Sequence, residues 1–127
     1  MERQKAKSFT NLSVWQKAHG LVLFIYKITK QFPSEEKFGL TAQFRDAGIS
    51  IAANIAEGFK RRHKKDKLHF YNIAQGSLEE CRYYFILSKD LAYINNLTFQ
   101  EGMDILEIAS RLLNSYCEGL IENYKPL

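Results

Sequence analysis

A chain of 127 residues, 46% of them hydrophobic, amounts to one domain that can bury a core without metal or disulfide staples. No stretch approaches the roughly 20 consecutive apolar residues that span a bilayer, and the charged opening Met1 to Lys7 leads into no apolar run with a cleavage site. The expectation is therefore a cytoplasmic protein with neither membrane anchor nor secretory leader. The net charge of +4 hides an asymmetry: residues 1 to 67 carry +8 and residues 68 to 127 carry −4, and the six cations within residues 60 to 67, against Asp66, make the chain basic.

After an N-terminal arm over 1–12, Val14, Ala18, Leu21, Ile25, Ile28 and Phe32 recur at spacings of three and four. That predicts a helix over about 13–31, with Ser13 as its N-cap and Pro33 at its exit. Leu40, Phe44, Ile51 and Ile55 predict a second helix over 38–58, ended by Gly58 as a C-terminal glycine. This helix is apolar or small nearly all round, adding Ala42, Ala47, Gly48, Ile49, Ala52, Ala53 and Ala56 to its main stripe. Such a helix is expected to be buried on more than one side, by its own bundle or by a second copy of the chain. Gln43, Ser50, Asn54 and Glu57 form one polar lane on it, readable as a ligand site or as a hydrogen-bonded lane that sets register or assembly.

Phe70, Ile73, Ser77, Cys81, Tyr84, Ser88 and Leu91 predict a third helix over 66–92, with Ala74, Gly76 and Ser77 as small partners for helix two. Thr98-Phe99-Gln100-Glu101 reads as a capping box opening a fourth helix over 98–123, whose inner face is Ile105, Ala109, Leu112, Tyr116 and Leu120. The whole of 1–127 thus forms one all-α, antiparallel up-down-up-down four-helix bundle. That topology brings the basic segment to the same end as Arg3, Lys5, Lys7 and Lys125. Glu35, Glu36, Asp90, Glu101 and Asp104 gather at the other.

The runs Gly39-Leu40-Thr41-Ala42-Gln43-Phe44-Arg45, Ile49-Ser50-Ile51, Asn54-Ile55-Ala56-Glu57-Gly58 and Ile73 to Glu80 resemble the bacterial four helix bundle family, also called the 23S rRNA intervening-sequence protein family. They are similar in turn to the accessory variability determinant proteins of diversity-generating retroelements. The resemblance extends from Trp15 to Ile94. It implies a bundle assembled into a homo-oligomeric ring, usually a homopentamer, and for the retroelement relatives it implies binding of nucleic acid and of a reverse transcriptase. Asp46 stands where many relatives carry a second cation after Arg45, and Ala52 where proline is common. The departure at Asp46 moves the expected nucleic-acid surface off helix two and onto the segment that follows it.

Two functional expectations result. The first is a non-enzymatic, self-associating accessory protein whose Lys60, Arg61, Arg62, Lys64, Lys65 and Lys67 contact RNA or DNA phosphates, with Gln43, Arg45, Ser50, Asn54, Glu57, Gly58, Gly76 and Ser77 structural or at an interface. His63, Phe59 and Tyr71 could add stacking. The second is a protein interaction scaffold with no nucleic-acid role, using Trp15, Tyr83 or Tyr93 as anchors. Catalysis, metal and cofactors are not expected. His19, His63 and His69 fall on separate elements without a Glu-x-x-His motif, no phosphate-cradling glycine loop occurs, and Cys81 and Cys117 are isolated.

Overall fold

The computed structural model of the chain describes residues 6–122. Four helices form, α1 Ser13–Thr29, α2 Leu40–Lys60, α3 Lys64–Asp90 and α4 Asn96–Glu122, with no strand among the described residues. The predicted stripes face the core on α1 and α2. On α3 the buried stripe is instead Tyr71, Ala74, Leu78, Cys81 and Phe85, with Ile73 and Leu91 exposed. On α4 it is Gly102, Leu106, Ala109, Leu113 and Cys117, with Ile105, Leu112, Tyr116 and Leu120 half-buried beside it, because apolar residues flank the true stripe on both helices. Each helix packs on its neighbours in sequence and α4 closes against α1, giving an antiparallel four-helix bundle in which α2 and α3 share the longest seam. Leu21, Ile25, Phe44, Ile51, Leu78, Phe85, Leu106 and Leu113 are fully buried along its axis. Each such side chain contributes about 1.5–3 kcal/mol of transfer free energy. At the centre the Phe44 ring meets Phe85 edge to face, centroids 4.8 Å apart. No helix among the described residues is long and apolar enough to cross a membrane.

The helix ends differ from the expectation for local reasons. Ser8 caps a short 3-10 turn at Phe9–Asn11, its Oγ accepting the Thr10 N–H at 3.2 Å. Leu12 then stands before α1, so Ser13 is the first helical residue rather than its cap. At α4 the cap is Asn95, whose Oδ1 accepts the Thr98 N–H at 2.8 Å; Thr98 lies inside the first turn and does not open the helix. Gly58 does not terminate α2, which runs on to Lys60. It is buried against the Tyr71 ring, where a Cβ would lie 2.5 Å from Tyr71 Cε1, so its role is close approach of α3. The C-terminus of α3 is closed by Ala92 at a φ of 62°, while the Tyr93 and Ile94 N–H groups donate to the Ser88 carbonyl.

Helix two is covered on one side only. Phe44, Ala47, Gly48, Ile51, Ile55 and Gly58 are buried, but Ile49 and Ala53 are exposed, and Ala42, Ala52 and Ala56 are half-buried. The bundle supplies neighbours for the inner face alone. Gly76 also departs from its expected place, being exposed with nothing within 4 Å of a Cβ built on it, whereas Ala74 and Ser77 are buried. From Leu78, two residues at 100° each carry Gly76 to the outside of α3.

Candidate nucleic-acid interface

The basic segment is mostly helical, which fixes where its charges point. Lys60 ends α2, Arg61 to His63 make the connection, and Lys64, Lys65 and Lys67 fall in the first turn of α3. Lys67 and Arg61 make contacts that hold them to the fold. Lys67 is half-buried, and its Nζ donates to the Phe59 carbonyl at 2.7 Å and the Gly58 carbonyl at 3.1 Å while lying 5.7 Å from the Phe59 ring centre. It thereby caps the carbonyl end of α2, and burial lowers its pKa below the usual lysine value. Arg61 pairs with Glu57 at 2.5 Å and lays its guanidinium 4.6 Å from the Phe70 ring centre.

Lys60, Arg62 and Lys65 remain exposed, with no ion pair among the described residues, and Lys64 is half-buried. Lys7, also exposed, lines the same cleft as Lys60 and so brings the N-terminal arm to the basic end. Arg3, Lys5 and Lys125, expected there too, lie outside the described residues. The outward set is therefore Lys7, Lys60, Arg62 and Lys65, with Lys64 beside them. Lys67 leaves the set because its ammonium is turned into the fold. That role escapes a reading of the charge run, although a cation seven residues beyond Lys60, after a three-residue connection, can reach back to the end of the preceding helix. His63 is exposed, Phe59 is half-buried, and Tyr71 is fully buried and so cannot stack on a ligand.

The polar lane on α2 divides. Asn54 Nδ2 donates to the Ser50 carbonyl at 2.8 Å and to Ser50 Oγ at 3.0 Å, and Ser77 Oγ donates to Ser50 Oγ at 2.8 Å. These three residues tie α2 to α3. Arg45 ties α2 to α1 instead, its Nε donating to Thr29 Oγ1 at 2.8 Å and its guanidinium lying 4.5 Å from the Tyr26 ring centre. Gln43 and Glu57 are exposed at the lane's two ends. This arrangement satisfies polar groups within the bundle and fixes register.

The aromatic side chains differ in availability. Trp15 is half-buried between Phe9, edge-on at 5.1 Å, and His19, stacked at 4.9 Å. Tyr93 donates its hydroxyl to Glu36 Oε2 at 2.9 Å at the opposite end of the bundle, and this bond raises its pKa. Tyr83 is more than half exposed.

The family model described as 23S rRNA-intervening sequence protein matches residues 10–115. Among solved structures, the fold is similar to a protein described as of unknown function from the S23 ribosomal protein family of Bacteroides thetaiotaomicron VPI-5482. The TM-score is 0.76 at 26% identity, covering 82% of this chain and 97% of that one. No curated protein matches the chain.

Proposed function

This chain belongs to the 23S rRNA-intervening sequence protein family, and we propose that it is a non-enzymatic, self-assembling cytoplasmic accessory protein that binds the backbone of RNA or DNA. One observation carries the reading. Lys7, Lys60, Arg62 and Lys65 are exposed at one end of the bundle, where the Glu57 carboxylate is already taken by Arg61. Cations in the first turn of a helix oppose its dipole, at about 0.3–1 kcal/mol each. Lys65 thus sits against the dipole of α3, and a phosphate beside it would be attracted both by its ammonium and by the N-terminal end of that dipole. Self-assembly is supported by apolar side chains that one bundle leaves in water, among them Leu97 at 69%, Leu23 at 58% and Tyr83 at 56% exposed. In a ring, with a homopentamer the form favoured by the resemblance, the basic end would recur on one face.

The test is fluorescence anisotropy with single-stranded RNA, single-stranded DNA and duplex DNA across a salt series. Four neutralised phosphates predict a slope of roughly −3 in log affinity against log salt for a single strand. The triple variant Lys60→Glu, Arg62→Glu, Lys65→Glu should lose this binding while melting close to the native protein. Equal affinity of the two proteins, or a flat salt series, overturns nucleic-acid binding in favour of a protein scaffold. Light scattering should give a closed oligomer; a monomer at micromolar concentration overturns the ring.

A further inference from the structure

A trough runs along the α1/α2 side of the bundle from its basic end. Its mouth, about 500 Å³, is lined chiefly by Lys7, Phe9, Ala53, Ala56, Phe59 and Lys60. Beyond it, Phe9, Ala53 and Ala56 also line a second hollow of about 300 Å³ that reaches Trp15 and His19. Both volumes fall in the range of ligand pockets, about 300–1,000 Å³. The hollow exists because α2 presents alanines here, short side chains that leave the neighbouring rings uncovered. Glu57 also lines the mouth, but its carboxylate is held by Arg61 at 2.5 Å.

The trough therefore offers two exposed cations beside aromatic rings on a low apolar floor. A phosphate backbone alone has no use for the rings. An apolar peptide has no use for the lysines. An unpaired nucleotide carries both an anion and a flat π face, and a duplex hides that face in its own stack.

We infer that this trough receives unpaired bases next to the phosphates held by Lys7 and Lys60, so that the basic end prefers single-stranded RNA or DNA to duplex. The inference rests on the nucleic-acid reading above and specifies its ligand. Phe9 and Phe59 are the stacking residues, and Trp15, the chain's single tryptophan, reports from the inner hollow.

The experiment compares a single-stranded oligothymidylate, an abasic strand of equal length and a duplex, by anisotropy and by Trp15 emission. The base-bearing strand should bind about 5- to 100-fold tighter than the abasic one and should quench Trp15. Phe9→Leu and Phe59→Leu should each shrink that margin while leaving abasic and duplex binding unchanged. Because Phe59→Leu touches a packed residue, Ala53→Leu serves as a second variant: it fills the hollow from an exposed position and should have the same effect. Equal, salt-dependent binding of all three ligands overturns the inference and leaves the basic-end reading standing. Absence of binding to any of them overturns both. If Ala53→Leu dissolves the oligomer and leaves the margin intact, a second copy occupies the trough and the inference is overturned.

Discussion

Replacing Lys67 with methionine separates the structural charge at the basic end from the charge available to a ligand. Lys67 Nζ donates to the carbonyls of Phe59 and Gly58 at 2.7 and 3.1 Å. A hydrogen bond to a charged group contributes about 1.5–3 kcal/mol where it is well shielded. This ammonium is only partly buried, so solvent screening reduces that figure, and desolvation already acts against its charged form. Two discounted bonds with the favourable placement at a helix C-terminus come to about 1–2 kcal/mol. Methionine keeps most of the apolar stem over Phe59, so the loss isolates the charge and its two bonds. For a chain of this length the melting temperature should fall by about 3–10 °C. Lys65→Met, at an exposed position, should stay within about 0.5 kcal/mol of the native protein. Binding should show the opposite order. Lys65→Met should weaken affinity for a single strand and make the salt slope shallower by about 0.7, while Lys67→Met leaves both unchanged. Thermal melts and anisotropy on the same preparations decide it. The reasoning is refuted if Lys67→Met melts with the native protein, or if it flattens the salt slope as much as Lys65→Met does.

Two glycines should respond in opposite directions to alanine. At Gly102 a Cβ would lie 2.3 Å from Cε1 of Phe85, which is fully buried, so about 1–3 kcal/mol of overpacking outweighs the roughly 1 kcal/mol gained in helix propensity. At Gly76 nothing lies within 4 Å, so Gly76→Ala should gain up to about 1 kcal/mol; urea midpoints in the reverse order would contradict the packing. Alkaline pH tests the buried thiol. Burial, with the Glu80 charge adding to it, pushes Cys81 up to about 12 from 9.0. Above about pH 9 the unfolded chain releases this proton and the folded chain does not. Stability from this group is therefore complete below pH 9 and falls by up to about 1.4 kcal/mol per pH unit as pH rises towards 12. Melts across this range should show a shallower decline for Cys81→Ala, and an unchanged slope would remove Cys81 as a contributor.

The number of helices and the stripes of α1 and α2 were legible in the sequence, while on α3 and α4 most of the buried stripe lies one residue from where the spacing placed it. Leu21 and Ile25 on α1, Phe44 and Ile51 on α2, and Ala109 on α4 are where spacings of three and four place them, because burying one stripe per helix dominates the energetics. That Ser50 and Asn54 share one lane was legible too, since residues four apart share a face, but their bond to each other and that of Ser77 to Ser50 were not. Helix ends were not. Ser8, Ser13, Asn95 and Thr98 all have capping side chains, and only the path of the incoming chain selects Ser8 and Asn95. The same ambiguity affects glycine: Gly58, Gly76 and Gly102 look alike in sequence, and the ring opposite each, or its absence, decides what the missing Cβ is for. At the candidate interface the charge run located the surface but not its membership. Whether a lysine faces water or a helix end depends on the turn between α2 and α3, which a count of charges does not contain.

That turn also bears on how the surface would work. The contacts that fasten α2 to α3 concentrate towards it: Gly58 beneath Tyr71, Lys67 on the last carbonyls of α2, Arg61 between Glu57 and Phe70, and Ser50 with Ser77 a few turns inward. The three-residue connection is thereby held from both sides. Lys60 and Lys65 project from helices, not from a long loop, so binding has little backbone left to order and its entropic cost falls mainly on side chains. The contacts of Gly58, Lys67 and Arg61 are thus what holds the helix ends that carry the exposed cations in a fixed array. Phosphates along a strand are evenly spaced, and a fixed array can match that spacing where a flexible loop of equal charge would act only through its net field.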